Sequence, residues 1–186
     1  MFFAAMATIL MAADCSNKDS EFYNDVFVTT PVQFEVNAAS QSVEILTSIP
    51  RVLTVSSLSN PLDIYRTTGG ATELFFSYEL EKQGTNETWE FVEFTASNIA
   101  QVTGRSDFGS FVVGAAVYND IAKTYEYEAV IQGLAPGTYR MSFGYNSSLT
   151  NLIEFRSNSI NNNLFLNLNS PVPFLNSDGY HIFTIN

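Results

Sequence analysis

Cysteine and histidine are nearly missing from this chain of 186 residues, which holds one of each, Cys15 and His181. One cysteine excludes an internal disulfide, and the pair falls short of the several His or Cys ligands that zinc sites take. A lone histidine supplies at most the base of a Ser-His-Asp triad, and no Gly-x-Ser-x-Gly elbow accompanies it. Positive charge is scarce as well: 8 Lys and Arg stand against 19 Asp and Glu, a formal net charge of −11. Such a surface repels phosphate backbones, so nucleic acid is excluded as a partner. Phosphate loops and dinucleotide fingerprints are absent, and no cofactor is expected. Sustained 3.6-residue apolar periodicity is lacking too, which excludes a helical domain.

What the chain does have is a β composition. Phe and Tyr are abundant, with 16 and 9 copies, and Val, Ile, Thr, Ser and Asn surround them. The clearest strand is Thr72 to Lys82, where Leu74, Phe76, Tyr78 and Leu80 take one face and Glu73, Ser77, Glu79 and Glu81 the other. Gln83-Gly84-Thr85-Asn86 then turns it into a hairpin with Thr88–Phe94. A second hairpin pairs Ser110–Tyr118 with Tyr125–Ile131. Asp25–Thr30, Gln33–Val36, Ser42–Leu46, Leu62–Tyr65, Leu164–Leu168 and Tyr180–Ile185 read as further strands, and Thr95–Gln101 as one helical turn. The Asn-rich stretch 157–163 is expected to be a long loop or bulged edge.

Leu134-Ala135-Pro136-Gly137-Thr138-Tyr139 precedes another alternating strand. Leu-x-Pro-Gly-Thr-Tyr resembles the corner before the penultimate strand of immunoglobulin-like and fibronectin-type sandwiches. There the leucine plugs the core and the tyrosine hydroxyl ties back to the backbone. With no crossover helices in sight, the fold expected is all-β: a single antiparallel β-sandwich, immunoglobulin-like, of about eight to ten strands.

The N-terminus carries a different signal. The apolar run Phe2–Ala13 is too short to cross a bilayer as a helix and has the length of a signal-peptide h-region. It ends at Cys15, followed by the polar stretch Ser16-Asn17-Lys18-Asp19-Ser20-Glu21. The arrangement resembles that of bacterial lipoproteins, particularly the surface lipoproteins of Bacteroidota, where acidic residues follow the lipidated cysteine. The resemblance implies a signal peptide over 1–14, lipidation at Cys15, a tether over 15–24 and a β-sandwich domain over 25–186. It also implies an outer-membrane, cell-surface address through a lipid anchor.

Within the domain two kinds of side chain could act. Glu73, Glu79, Glu81, Glu90, Glu93, Glu126 and Glu128 lie on the two hairpins, where alternation places them on a solvated sheet face and not astride a catalytic cleft. Calcium-loop spacing is absent, so no metal site is assigned. The aromatics Trp89, Phe75, Tyr118, Tyr125, Tyr127, Tyr145 and Tyr180 exceed the needs of a modest core, and Trp89, Tyr125 and Tyr127 are the candidate binding residues. The expectation is a non-enzymatic surface lipoprotein that docks to an outer-membrane protein complex or adhesin. The alternative is a glycan-binding accessory protein of a nutrient-uptake system.

Overall fold

Side-chain alternation along the chain becomes strand after strand. The computed structural model describes residues 23–28, 33–143, 152–159, 162–168 and 175–186. Cys15, the apolar run before it and Tyr145 lie outside the described residues. The elements run β1 (Tyr23–Val28), β2 (Gln33–Ala39), β3 (Ser42–Pro50), β4 (Val52–Leu53), β5 (Leu62–Asp63), α1 (Ile64–Thr67), β6 (Glu73–Gln83), β7 (Trp89–Phe91) and β8 (Ile99–Thr103). They continue with β9 (Arg105–Phe108), β10 (Val112–Asn119), β11 (Thr124–Gln132), β12 (Gly137–Ser142), β13 (Ile153–Ser157), β14 (Asn163–Leu168) and β15 (Tyr180–Ile185). The fold is all-β, with more strands than the eight to ten expected. Of the strands not expected, β8 and β9 are 5 and 4 residues long and bury no side chain, so they show no apolar alternation.

The one helical turn sits elsewhere than expected. Asp63 accepts a hydrogen bond from the Arg66 amide at 3.0 Å and caps α1, which replaces the second half of the strand read at Leu62–Tyr65. At Thr95 the Asn98 side chain accepts from the Thr95 amide at 2.7 Å, closing a turn, and the chain then enters β8 instead of a helix.

β6 is the spine. Over Glu73–Tyr78 it pairs with β10, and with β13 at Leu74 and Phe75. Over Glu79–Gln83 it pairs with β12 and β7. Through it thirteen strands join one continuous network, with β4 and β5 apart as a two-stranded pair. The ladders are antiparallel except one: β1 lies parallel to β14, from Tyr23 opposite Asn163 to Val28 opposite Leu168. β1 and β2 stand at opposite ends of the strand order. Yet only residues 29–32 separate them, a reach of at most about 18 Å. The sheet must therefore curl until its two edges approach. Phe34 of β2 accordingly packs edge-on against Phe76, Phe143 and Phe155, at ring-centroid distances of 5.8, 5.0 and 6.2 Å. This is closer to a barrel than to the two separate sheets of an immunoglobulin-like sandwich.

The β10–β11 hairpin is zipped only near its turn, from Val117 opposite Glu126 to Asn119 opposite Thr124. Beyond that the strands diverge, and a reversal at Gly104 drives into the fork. β8 pairs with β11 and β9 with β10. Gly104 has φ +76°, and a Cβ there would lie 2.4 Å from the Ala115 carbonyl oxygen, so only glycine fits the apex.

The Leu134–Tyr139 corner forms as its sequence implies. Leu134 and Tyr139 are buried, and Tyr139 Oη donates to the Ala135 carbonyl at 2.7 Å. The Tyr139 ring stacks on Phe183 with centroids 5.8 Å apart. Leu134→Ala is expected to cost about 2–5 kcal/mol by cavity formation. Tyr139→Phe should cost about 1 kcal/mol through one lost hydrogen bond. Urea unfolding of the two variants reads both values; two variants as stable as the parent would show that the corner holds nothing together.

Candidate functional site

Alternation on β6, β7, β12 and β15 generates one outward face. Register places Phe91, Glu81, Arg140 and Ile182 in a single cross-strand row. Glu79, Ser142 and Tyr180 form the row on one side, while Gln83 beside Trp89 and Thr138 beside Thr184 lie on the other. The opposite side of the same strands carries Leu80, Tyr139, Met141, Phe183 and Ile185, all buried in the core.

An outward carboxylate ought to be solvated, yet Glu81 is only 6% exposed. Arg140 covers it, donating Nε to Oε2 at 2.5 Å and Nη2 to Oε1 at 2.9 Å. The guanidinium lies 4.5 Å from the Trp89 ring centroid and 4.1 Å from that of Tyr180, which approach from strands on opposite sides of it. A bidentate ion pair is thus walled by two aromatic rings. Hydrogen bonding to Glu81 raises the Arg140 pKa, and the guanidinium stays charged. Glu79 shares the face, and burial first, then the charge of Glu81, raises its pKa above the ordinary glutamate value. Phe91, 62% exposed, and the exposed Ile182 flank this charged centre. β15 pairs only with β12, so its outer edge has no ladder partner among the described residues.

The sequence-derived candidates separate here. Trp89 lies half-buried on the face. Tyr125 and Tyr127 do not: both are fully buried and present no ring to a ligand. Tyr125 Oη donates to the Ala71 carbonyl at 2.9 Å. Tyr127 lies between Tyr78 and Ser106, each hydroxyl oxygen 2.8 Å from its own. Ser106 passes the chain to Gln101 Oε1 at 2.7 Å. These are core tyrosines whose hydroxyls are satisfied, and burial raises the pKa of both. His181 stacks on Phe183, centroids 5.5 Å apart.

The acids are less uniformly solvated than alternation alone suggests. Glu73 accepts from Arg105 at 2.8 and 3.2 Å, and that bond lowers its pKa. Glu126 accepts from Asn119 and Thr124 at 3.1 and 2.6 Å. Among the described residues no three His, Cys, Asp or Glu side chains converge to hold a metal ion. Arg140, Phe91 and Ile182 did not figure among the candidates, although period-two counting from buried Tyr139 puts Arg140 outward and Trp89 puts Phe91 beside it. Comparisons with protein-family models, with curated proteins and with solved structures find no match for this chain.

Removing Arg140 leaves a buried, uncompensated carboxylate. Arg140→Met should lose about 3–5 kcal/mol in chemical denaturation, and adding Glu81→Leu should recover much of it. An Arg140→Met protein of parental stability would mean the pair is loose in water. Glu79 gives a pH signature. Its native pKa is raised, so its contribution to stability is fullest below the ordinary glutamate value near 4.5 and is lost as pH rises through the native value. Glu79→Gln should therefore gain stability on the parent between about pH 4 and about pH 7, read as the difference in Tm. A difference that does not change with pH would put Glu79 in free solvent.

Proposed function

We propose that this chain is a non-enzymatic cell-surface lipoprotein of Bacteroidota type, processed after residue 14 and held in the outer membrane through Cys15. Its domain docks an outer-membrane protein complex or adhesin with the outward face of β6, β7, β12 and β15. Supporting the protein-partner reading is the exposed pair Phe91 and Ile182 on either side of the Glu81–Arg140 centre, beside the bare edge of β15. Trp, Tyr and Arg in a partly desolvated cluster are the chemistry of interface hot spots, and exposed apolar residues around them exclude water. An immunoglobulin-like relationship is supported by the Leu134–Tyr139 corner and its 2.7 Å hydroxyl bond.

The glycan-binding alternative would use the same surface, because Trp89 and Tyr180 share it with Glu79, Ser142 and Thr184. It is less favoured, since both rings are turned onto Arg140 instead of lying open side by side as a stacking platform.

A photoreactive amino acid at Phe91 on intact cells should cross-link to an outer-membrane protein, and Ile182→Asp should abolish the product. Purified protein should bind no member of a polysaccharide panel. A polysaccharide bound by the parent and lost in Trp89→Ala would replace the docking reading with the glycan one. Cys15→Ala should move the protein out of the membrane fraction without changing its melting temperature; an unmodified Cys15 in membrane-purified protein, by intact mass, would remove the anchor.

A further inference from the structure

An anchor fixes which end of a domain can meet the bilayer. The inference rests on the anchored reading of Cys15. Eight peptide steps separate Cys15 from Tyr23 at the start of β1, a reach of at most about 29 Å. Tyr23 opens β1 opposite Asn163. The same end of the barrel is built by the segment 51–72, the β10–β11 turn over 119–124 and the facing ends of β13 and β14 at Ser157 and Asn163. The register shows this: Pro50 lies opposite Thr124, Val117 opposite Glu73 and Ser157 opposite Leu74.

Ile121 stands at the tip of that turn, 97% exposed. Asn119 holds it there, its side chain accepting from the Ile121 and Ala122 amides at 3.0 and 3.1 Å. Val52 is also exposed, and it lines a groove with Pro50, Arg51, Asp63 and Lys123. The Arg51 amide donates to the Lys123 carbonyl at 2.8 Å, tying the two segments together. Charge is asymmetric along the barrel. Segments 51–72 and 119–124 carry Arg51, Arg66 and Lys123 against Asp63 and Asp120, in a chain of net charge −11; Arg51 pairs with Asp63 at 2.7 Å and Lys123 with Asp120 at 2.6 Å, which leaves Arg66 as the excess cation. The connections at the other end, 83–89, 92–98 and 132–137, carry Glu87 and Glu93 and no cation.

We propose that the Tyr23 end is a membrane-docking surface, with Ile121 and Val52 entering the boundary between headgroups and acyl chains while Arg66, the cation that Asp63 and Asp120 leave in excess, meets headgroup phosphate. Apolar tips beside a net positive charge suit a bilayer interface. The short reach from Cys15 brings this end, and not the acidic one, to the surface. The contact sets the orientation of the domain, leaving the opposite end turned away from the bilayer.

The test uses the chain from Cys15 onward, which contains every described residue. Because Cys15 is the only cysteine, a maleimide phospholipid couples there alone and supplies the anchor chemically. Vesicles of phosphatidylcholine with phosphatidylglycerol carry the coupled protein, and the same chain capped with N-ethylmaleimide is mixed with identical vesicles as reference. Hydroxyl-radical footprinting should show oxidation of Ile121 and Val52 falling several-fold on coupling, with Phe91 and Ile182 unchanged. Ile121→Asp should cancel the protection at Val52. Equal oxidation of Ile121 in coupled and capped protein, or protection of Phe91 and Ile182 in its place, overturns the proposal. Since the tether is made chemically, either result bears on this surface alone, whereas the intact mass of cell-derived protein bears on the anchor.

Discussion

A strand that changes partners halfway along its length must suit two environments, and β6 does so with one alternating sequence. Leu74, Phe76, Tyr78 and Leu80 are buried throughout, so the inner face never changes. What changes is the ladder: β10 and β13 hold the first half, β12 and β7 the second. β10, β13, β12 and β7 pair with it directly, and the other strands of the main network follow one, two or three neighbours further on. The candidate site exists because of that switch. Only where β7 and β12 flank β6 do Trp89, Glu81 and Arg140 share a surface.

The curl that closes the sheet explains where the aromatics go. A closing sheet encloses a thick core, and rings fill it: Phe76 meets Tyr127 edge-on at 4.9 Å and Phe155 at the same distance, while Phe34 reaches in from β2. A buried tyrosine brings a hydroxyl with it, and an unmet hydroxyl in the core costs stability. The wedge at Gly104 meets this need. It carries Ser106 and Gln101 into position for the chain of hydroxyls that starts at Tyr78 and Tyr127. Gly114 completes the fit, since a Cβ there would come within 2.5 Å of the Phe76 ring.

Much of this was legible in the sequence. The all-β class, both hairpins, the strand at Tyr180–Ile185 and the Leu134–Tyr139 corner follow from period-two alternation and turn chemistry, which are local. Which tyrosines face solvent did not follow. Tyr125 and Tyr127 sit on the same face of β11 as Ala129 and Ile131, and alternation alone says that this face is uniform but not that it is the inside. The spacing of Tyr125, Tyr127, Ala129 and Ile131 as one apolar stripe was the available clue. The wedge pairs β9 with nearby β10, but neither β8 nor β9 buries a side chain, so no apolar alternation marked it. The parallel β1–β14 ladder was beyond reach because it joins residues far apart in sequence. The roofed Glu81 was hidden for the same reason: its cover comes from β7, β12 and β15 together.

Scarce positive charge gives the surface its logic. Arg51 lies over Tyr65, Lys82 over Tyr139, Arg105 over Phe75, Arg140 over Trp89 and Tyr180, and Arg156 over Phe165. Four of these five also pair with an acid: Asp63, Glu73, Glu81 and Glu154 in turn. Each such cation shields a ring on one side and neutralises a carboxylate on the other, so a chain with few cations uses them where apolar and acidic surfaces meet. A partner that competed for Arg140 would have to compensate Glu81 at the same time, which makes that ion pair a poor point of exchange. Under the docking proposal, the surface left to a partner is what the cations leave uncovered, and on the outward face of β6, β7, β12 and β15 that is Phe91 and Ile182. The ion pair between them then acts as a rigid, partly dehydrated base, holding two apolar contacts at a fixed separation across four strands.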